Sequence, residues 1–310
     1  MKIVITGAFG HIGSKIIRDF ANNFNEAKII LIDNLMTQRY ASLFNLPKNG
    51  NYQFFEKNIN EFDLESILEP NDIVIHLAAI TDAAGSVNKA DELEENNYNT
   101  TFKVANACLE AGASLISLSS TSVYGTQKLI VSEDCSEDEL KPQSPYAITK
   151  LKEEKLVTDL IKKGLKAIIL RFGTIYGISQ GMRFHTAVNK FCWQASMGQS
   201  ITVWETAYDQ KRPYLDLNDA SRAFKHIIDN NIFDGRIYNV LTDNLTVRNI
   251  VDIIKEEIPS LKIKFVNNAI MNQLSYEVSC ERFLKTNFIF EGNIRNGIKR
   301  TISLIKPPIQ

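Results

Sequence analysis

Short apolar strands that alternate with helical segments occupy the first 171 residues of the chain. The strands consist mainly of Ile, Val and Leu, without the polar alternation of a strand that faces water on one side. Such strands are buried on both faces, which is typical of a parallel sheet covered by helices. The pattern therefore predicts an α/β fold with a doubly wound parallel sheet. We predict strands at Lys2–Thr6, Lys28–Ile32, Tyr52–Phe55, Asp72–Leu77, Leu115–Ser119 and Lys166–Arg171, and helices at His11–Asn22, Asn97–Gly112 and Tyr146–Lys163.

After Arg171 the pattern is looser, and we predict a smaller α+β domain there. We expect this domain to comprise residues from about 172–215 and 243–310, and the larger domain to comprise 1–171 and about 216–242. Because no Gly-, Ser- or Pro-rich linker separates the two, we expect a cleft shared between them. Further helices are predicted at Phe184–Met197, Asn218–Asp229 and Thr246–Glu257, and further strands at Ile201–Trp204 and at Arg236–Val240, which could rejoin the first sheet.

The charge balance argues against several classes of function. The 310 residues carry 35 Lys and Arg against 36 Asp and Glu, so the chain lacks the basic field that broad nucleic-acid binding needs. The four cysteines and four histidines lack the spacing of metal ligands, and we predict no metal site. Apolar runs stay shorter than the about 18 residues of a membrane span, so we expect no membrane contact and a cytoplasmic, reduced protein.

Three glycines, Gly7, Gly10 and Gly13, connect the first predicted strand to the first predicted helix. Glycines allow a sharp turn and a close approach of the backbone to a pyrophosphate, and the helix that follows presents unpaired N–H groups to the anion. A glycine-rich turn without a ligand has the same spacing, but the position after a buried strand favours a dinucleotide site. The predicted contacts are Gly7, Phe9, Gly10, His11, Ile12 and Gly13.

Asp33 ends the second predicted strand, 20 residues after Gly13. A carboxylate there accepts hydrogen bonds from the ribose hydroxyls of a dinucleotide and repels a 2′-phosphate, so the sequence favours NAD over NADP. An ordinary turn Asp is the alternative, and Arg39 is near enough in sequence to weaken the preference. Asn58 follows the third strand, where its amide would face the adenine. The contacts predicted at this end are Asp33, Asn34, Asn58 and Ile59.

Tyr146 and Lys150 share one face of a predicted helix because they are four residues apart. An ammonium next to a phenol favours the phenolate, which makes Tyr146 a candidate general base. The hydroxyl of Ser120, at the end of the fifth strand, is placed to hydrogen-bond the same substrate oxygen. These groups suit interconversion of an alcohol and a ketone with a nicotinamide. Tyr–Lys pairs also arise by chance on solvated helices, and the combination with the glycines and Asp33 favours catalysis.

Six motifs resemble those of the extended short-chain dehydrogenase/reductase family, in its NAD-dependent epimerase/dehydratase group that acts on nucleotide sugars. The resemblance covers nearly the whole chain and implies a Rossmann-type sheet, NAD as cofactor and a homodimer. The motifs are Thr-Gly-x-x-Gly-x-x-Gly (6–13), Asp-Ile-Val-Ile-His-Leu-Ala-Ala (72–79), Ser-Ser-Thr-Ser-Val-Tyr-Gly (119–125), Ser-Pro-Tyr-Ala-Ile-Thr-Lys (144–150), Leu-Arg-Phe-Gly-Thr-Ile-Tyr-Gly (170–177) and Arg-Pro-Tyr-Leu-Asp-Leu-Asn-Asp (212–219).

The resemblance also implies roles for single residues. Ser120 becomes the catalytic hydroxyl, Tyr146 the base, and Lys150 its partner, which also binds the nicotinamide ribose. Asn97 anchors the region around them. The residues implied along the cofactor path are Leu77, Ala78 and Ala79. The residues predicted to contact the substrate are Thr81, Ser120, Thr121, Thr174, Arg183, Arg212 and Arg282.

Two of these substrate residues are predicted from their chemistry as well. Arg183 is suited to hold a diphosphate with two parallel hydrogen bonds, and Arg212 to clamp a phosphate. His185, close to Arg183, is a candidate additional acid or base. Each also has a plain structural alternative, namely a surface Arg or a polar His with satisfied hydrogen bonds.

The chain departs from the family pattern directly after Ser120. Sugar dehydratases of the family often carry Asp-Glu there, and similar decarboxylases carry Glu at the second of the two positions, where this chain has Thr121 and Ser122. We therefore predict a nucleotide-sugar epimerase that works through C4 oxidation to a keto intermediate. The alternatives are a nucleotide-sugar oxidase or keto-sugar reductase, less favourably a 4,6-dehydratase, and a non-catalytic NAD-binding scaffold.

Overall fold

The strands of the first half lie side by side, as their apolar character predicts. The computed structural model describes residues 1–81, 90–125, 128–267 and 275–305. Within these residues the strands are β1 (Lys2–Thr6), β2 (Lys28–Asp33), β3 (Asn51–Glu56), β4 (Ile73–His76), β5 (Ser114–Ser120), β6 (Ile130–Val131), β7 (Lys166–Phe172), β8 (Thr174–Tyr176), β9 (Ile201–Trp204), β10 (Lys211–Asp216), β11 (Ile237–Val240), β12 (Asp243–Thr246), β13 (Ile263–Val266) and β14 (Glu277–Val278).

Seven of these strands form one parallel sheet in the order β3-β2-β1-β4-β5-β7-β11. The chain moves outward from β1 to β3, then returns to the other side of β1 with β4. Such a reversal leaves a crevice at the carboxyl ends of the two central strands. The order confirms the predicted Rossmann-type sheet, and β11 joins it as its pattern allowed.

Helices cover the sheet on both sides. The helices of the described residues are α1 (Gly13–Asn23), α2 (Ala90–Ala111), α3 (Pro145–Ile161), α4 (Ala187–Ser196), α5 (Leu217–Asp229), α6 (Val247–Glu257), α7 (Glu281–Leu284) and α8 (Ile294–Ile305). Ile3 and Ile5 of β1 pack into the core that includes α1 and α5, whereas Val4 between them packs into the core that includes α2 and α3. This alternation explains why Ile3, Val4 and Ile5 are all apolar.

Three helices begin two or more residues away from their predicted starts. The helix predicted from Phe184 starts at Ala187. The helix predicted from His11 starts at Gly13, because the preceding residues form the turn in which the Gly10 N–H donates to the Gly7 carbonyl at 3.1 Å. The helix predicted from Asn97 starts at Ala90, with Asp91 and Glu92 in its first turn. Acidic residues there are favourable because they face the positive end of the helix dipole.

Smaller sheets lie beyond the central one. β8, β10 and β12 form a three-stranded sheet, which the sequence prediction missed because the three strands are short and β12 is remote from β8 in the chain. β9 pairs with β13, and β6 with β14. A separate apolar core is formed mainly by α4, α6 and α8.

No helix within the described ranges is both long and apolar enough to span a membrane. The same ranges contain no group of three or more His, Cys, Asp or Glu side chains arranged to hold a metal ion.

Candidate active site

A cavity of about 750 Å³ opens at the carboxyl ends of β1 and β4, where the chain reverses its direction across the sheet. Its size lies within the range of about 300–1,000 Å³ that is usual for ligand pockets. The predicted site residues that line it are Gly7, Gly10, His11, Ile12, Gly13, Asp33, Asn34, Asn58, Ile59, Leu77, Ala78, Ala79, Thr81, Ser120, Tyr146, Lys150, Thr174 and Arg183. Residues that are far apart in the sequence therefore share one wall.

Two of the three glycines in the loop between β1 and α1 have no room for a side chain. Gly7 has a φ of +65°, and a Cβ built on it lies 2.7 Å from the backbone nitrogen of Ala78. A Cβ on Gly13 lies 2.5 Å from the carbonyl oxygen of Ala8. The loop is thus packed directly against the backbone that follows β4, and its shape is set by contacts without side chains.

The first turn of α1 faces this cavity. None of the described side chains caps the helix at Ile12. The Ser14 N–H donates to the Gly10 carbonyl at 2.9 Å and the Lys15 N–H donates to the Ile12 carbonyl at 3.0 Å, so an anion here would be bound by the N–H groups that precede Ser14 and by the positive end of the helix dipole. Gly10 lines the cavity between Gly7 and Ile12. The segment for which the sequence predicts a pyrophosphate cradle thus lines the cavity.

His11 connects the glycine loop to the segment after β8. Its Nε2 lies 2.9 Å from the carbonyl oxygen of Gly177, and because a carbonyl only accepts, Nε2 carries the proton. Burial lowers the pKa of His11 to about 4, so the ring is neutral near pH 7. In the same region the Ser179 hydroxyl donates to the His11 carbonyl at 2.9 Å, and the Gly181 N–H donates to Ser14 Oγ at 2.8 Å.

Asp33 lies at the end of β2, and each oxygen of its carboxylate accepts a hydrogen bond from a different backbone N–H group. The Phe9 N–H donates to Oδ2 at 2.9 Å and the Leu35 N–H donates to Oδ1 at 2.8 Å. These bonds fix the carboxylate at the rim where it lines the cavity. Arg39 lines the same end, and burial lowers its pKa although Asp33 acts in the opposite direction.

Phe9 and Asn97 support the wall from behind. Phe9 is buried with its ring 4.9 Å from that of Phe54. Asn97 accepts from the Ile80 N–H at 2.7 Å and donates to the Ile80 carbonyl at 2.9 Å. Both side chains lie outside the residues that line the cavity, and Asn97 holds the segment after β4 in place.

Tyr146 and Lys150 are positioned by the start of α3. The helix begins with Pro145 in its first turn, and the Ser144 hydroxyl caps it by accepting from the Ala147 N–H at 3.2 Å. Tyr146 and Lys150 consequently lie one turn apart, with the Lys150 Nζ 5.9 Å from the centre of the Tyr146 ring. Lys150 is buried, whereas Tyr146 is half-buried and both line the cavity.

Glu153 is a functional candidate that the sequence prediction did not include. The Lys150 Nζ donates to Glu153 Oε2 at 2.8 Å, and both side chains are buried. Burial by itself lowers the pKa of Lys150, but Glu153, Tyr146 and Glu154 together more than offset it and the pKa is raised. Burial raises the pKa of Glu153 against the opposing effect of Lys150. The spacing of three residues on one helix face was the available signal.

Another part of the cavity is lined by Arg183 and His185. Arg183 donates from Nη1 to the hydroxyl of Thr81, and its guanidinium contacts the ring of His185. Thr174 of β8 lies on this side of the wall with them. We name this surface, with Trp204 at the end of β9, the substrate wall, and the surface around the glycine loop and Asp33 the cofactor wall.

Three predicted substrate contacts lie away from the cavity. The Thr121 hydroxyl donates to the Phe172 carbonyl at 3.2 Å. The Arg212 guanidinium lies 5.6 Å from the centre of the Tyr276 ring and donates to Gln210 Oε1 at 2.8 Å. Arg282 donates to the Ile237 carbonyl at 2.8 Å and forms an ion pair with Asp134. These contacts account for the three side chains as parts of the fold.

Other residues of the cavity wall were not among the predicted site residues. They come from connections and helix faces that only the folded chain brings to the cavity. They are Met36, Thr37, Lys57, Asn96, Thr100, Ser122, Ser144, Gly173, Thr186 and Trp204.

The family model for the NAD dependent epimerase/dehydratase family matches residues 3–240. This range contains all seven strands of the central sheet, the glycine loop, and both Tyr146 and Lys150.

The names of similar proteins describe enzymes that act on nucleotide sugars. An uncharacterized UDP-glucose epimerase of Bacillus subtilis is 29% identical over 267 residues, which are 83% of this chain and 82% of the relative. A trifunctional UDP-glucose 4,6-dehydratase/UDP-4-keto-6-deoxy-D-glucose 3,5-epimerase/UDP-4-keto-L-rhamnose-reductase of Arabidopsis thaliana is 28% identical over 317 residues. This match covers 97% of the chain but 46% of the plant protein, so the chain spans about half the length of that relative.

The fold is also that of a solved enzyme. The structure of a UDP-glucuronic acid 4-epimerase from Bacillus cereus, in complex with UDP-glucuronic acid and NAD, matches with a TM-score of 0.88 at 25% identity, over 99% of both chains.

Proposed function

Since the chain belongs to the NAD dependent epimerase/dehydratase family, we propose that it is an NAD-dependent epimerase of a nucleotide-activated sugar. One hydroxyl of the sugar, at C4, is oxidised to a ketone and reduced again from the other face, which inverts its configuration. The observation that carries this proposal is the position of Ser120, Tyr146 and Lys150 on the wall of the same cavity as the glycine loop.

The cofactor wall fits NAD. The uncapped first turn of α1 and the glycine loop suit its pyrophosphate, the Asp33 carboxylate suits the adenosine ribose, and Lys150 suits the nicotinamide ribose. A side chain at Gly7 is excluded by the backbone at Ala78, so the glycine loop contributes only backbone at this position. When bound, NAD supplies the acceptor and the donor of hydride.

Tyr146 handles the proton of the reacting hydroxyl. The charged ammonium of Lys150 is buried and lies 5.9 Å from the ring centre, where it attracts the negative charge that develops on the phenol oxygen during the reaction. The phenolate takes the proton of the sugar hydroxyl during oxidation and returns it when the alcohol forms again on the other face. The raised pKa of Lys150 keeps its charge in place through both half-reactions.

Ser120 orients the same oxygen. Its Oγ accepts hydrogen bonds from the Ser122 N–H at 3.2 Å and the Ser122 hydroxyl at 2.9 Å. Since both bonds use Ser120 as acceptor, its own proton remains available to the oxygen of the sugar.

The substrate wall suits an anionic nucleotide. Arg183 lies on it with Thr81 and Thr174, and a guanidinium binds a diphosphate through parallel hydrogen bonds. We include Arg183 and omit Arg212 and Arg282 from the substrate contacts, because the latter two lie away from the cavity.

A dehydratase or decarboxylase would need a carboxylic acid beside Ser120. Ser122 occupies the cavity wall there, and among the described wall residues Asp33, at the adenosine end, is the sole carboxylate. This supports epimerisation, with net oxidation or reduction as the second candidate.

The first experiment separates these reactions. The protein is incubated with NAD and, separately, UDP-glucose, UDP-glucuronic acid and UDP-N-acetylglucosamine, and the products are followed by NMR. We expect a mixture of C4 epimers without accumulation of NADH. Net NADH formation would identify an oxidase, loss of water a dehydratase, and NAD binding without turnover a scaffold protein.

Removing the phenol tests the base directly. Tyr146→Phe should lower kcat roughly 10²–10⁴-fold, because a positioned general base contributes about that factor. NAD affinity and the thermal unfolding midpoint should stay close to those of the wild type. Unchanged turnover in Tyr146→Phe would remove the proposed mechanism.

The family resemblance and the surface of two helices support a homodimer. α2 and α3 pack side by side, with Phe102 of α2 exposed to 50% and Ile148 of α3 to 40%. We propose that these faces pair between two copies, and that light scattering gives twice the mass of 35.1 kDa.

We further propose a cytoplasmic location, supported by the sequence prediction alone, and the same two-part division of the chain between cofactor and substrate binding.

A further inference from the structure

A buried chain of hydrogen bonds reaches the catalytic lysine from the first strand of the sheet. It runs through Thr6 at the end of β1, His76 at the end of β4, Thr101 on α2 and Glu153 on α3. It ends at Lys150, where the Nζ lies 2.8 Å from Glu153 Oε2. The five side chains come from four elements that surround one point beneath the cavity.

The direction of each bond follows from chemistry. Thr6 Oγ1 accepts from the Leu77 and Ala78 N–H groups, both at 3.2 Å. It therefore has its own proton left for Nδ1 of His76, at 2.8 Å. Burial, and to a smaller degree Lys150, lower the pKa of His76 to about 3, so the ring is neutral, and with Nδ1 as acceptor its remaining proton is on Nε2.

The second half of the chain points the same way. His76 Nε2 donates to Thr101 Oγ1 at 3.2 Å, and the Thr101 hydroxyl donates to Glu153 Oε2 at 3.0 Å. Lys150 donates to that same oxygen. Every bond thus delivers a proton toward Glu153 Oε2, the arrangement that favours a carboxylate over a neutral acid.

Glu153 has little other support. Its second oxygen, Oε1, is buried and has no hydrogen-bond partner among the described residues. The neighbouring Glu154 is used elsewhere, because it forms paired hydrogen bonds with Arg171 of β7 at 2.8 and 2.7 Å. Among the described residues, the charged and titratable groups near Lys150 are Tyr146, Glu153 and Glu154 on α3 and His76 from β4.

We propose that Glu153 is a positioning residue of the active site: as an ionised carboxylate held by Thr101, it keeps the buried ammonium of Lys150 charged and fixed beside Tyr146. This inference rests on the proposed function, in which Lys150 assists Tyr146. It extends that function because Glu153 touches neither substrate nor cofactor and acts through Lys150.

The test measures Lys150 itself and needs no substrate. In protein labelled with ¹³C at the lysine ε-carbon, the Lys150 signal is assigned by its loss in Lys150→Met and followed as a function of pH. Removing the negative charge in Glu153→Gln should lower the titration midpoint of Lys150 by about one pH unit or more. Asp159→Asn removes a carboxylate from the exposed side of the same helix and should leave Lys150 unmoved.

An unchanged titration midpoint of Lys150 in folded Glu153→Gln would overturn the proposal. It would show that Glu153 is already neutral in the wild type, since replacing it with a neutral amide changes nothing. Thr101→Val keeps the carboxylate but removes its donor, and should move Lys150 in the same direction by less. It serves as the test if Glu153→Gln does not fold. Where turnover is found, the alkaline limb of the kcat profile should move to lower pH in Glu153→Gln. Absence of turnover would affect only the proposed function, since the NMR titration does not use it.

Discussion

The cofactor wall and the substrate wall line the same cavity but differ in what forms their surfaces. On the cofactor wall the backbone is packed so closely that Gly7 and Gly13 leave no space for a Cβ. On the substrate wall the surface consists of long side chains such as Arg183 and Trp204. A backbone surface fixes one ligand shape, whereas side chains change with rotamer and sequence. The comparison suggests a constant cofactor and an adjustable sugar specificity.

The largest expected effect comes from adding one methyl group to the cofactor wall. Gly7→Ala places a Cβ 2.7 Å from the Ala78 nitrogen at a φ of +65°, and should cost roughly 3–5 kcal/mol of unfolding free energy and abolish NAD binding. Chemical denaturation and calorimetric titration with NAD measure both effects.

Gly198→Ala is the matched control. Gly198 has nearly the same φ, +67°, but a Cβ built on it meets nothing within 4 Å, so strain of roughly 1 kcal/mol should remain and NAD binding should be retained. Equal losses in the two variants would show that backbone strain, and not close packing, shapes the cofactor wall.

The free energy of unfolding should depend on pH through His11, which connects the glycine loop to the segment after β8. Its pKa is lowered from 6.5 to about 4 in the folded protein, so between these values the unfolded chain binds a proton that the folded chain does not. The neutral His11 ring contributes to the free energy of unfolding above pH 6.5. About 3 kcal/mol of this free energy is lost as the pH falls toward 4. His11→Asn should flatten this part of the stability curve, measured by denaturation between about pH 4.5 and 7. A curve parallel to that of the wild type would contradict the assignment.

A change at Asp33 should affect the cofactor without affecting the substrate. Asp33→Asn keeps an oxygen for one of the two backbone donors, places an NH2 group at the other and loses the charge, and should weaken NAD binding about tenfold while reducing discrimination against NADP. Binding of both dinucleotides by calorimetry checks this. Tighter binding of NADP than NAD by the wild type would defeat the role assigned to Asp33.

The smallest expected effect lies on the substrate wall. Arg183→Met should raise KM for the nucleotide sugar about three- to tenfold with little change in NAD affinity, because it removes a contact to the diphosphate and leaves the cofactor wall intact. Arg212→Met, which changes an arginine outside the cavity, should alter KM by less than about twofold. An equal effect of both variants would indicate that charge acts at long range and not by contact.

The predicted site residues that the structure places on the cavity wall come mostly from short segments of consecutive residues. The glycine loop, Asp33, and the Tyr146–Lys150 pair each depend on a short segment whose local structure brings the groups together. Prediction from sequence was less successful for the substrate side, where Arg212 and Arg282 are arginines of the expected type that the fold uses for other contacts. Charge alone does not reveal the direction in which a long side chain points.

Glu153 is the opposite case, because it is a candidate residue that the sequence prediction did not include. On the sequence it is one of two adjacent acids in a helix that looks solvated, and Glu154 next to it pairs with Arg171. The residue that distinguishes Glu153 is Thr101, which is 52 positions away in the chain.

The sequence by itself determined the class of fold and the chemistry, because apolar strands without alternation require a covered parallel sheet, and because a phosphate loop and a Tyr–Lys pair are local structures. Only the tertiary structure decided which charged groups share the cavity and which are buried beneath it. Contacts between α2, α3 and the ends of β1 and β4 depend on how helices pack on the sheet, and that packing is set by the whole core and not by any one segment.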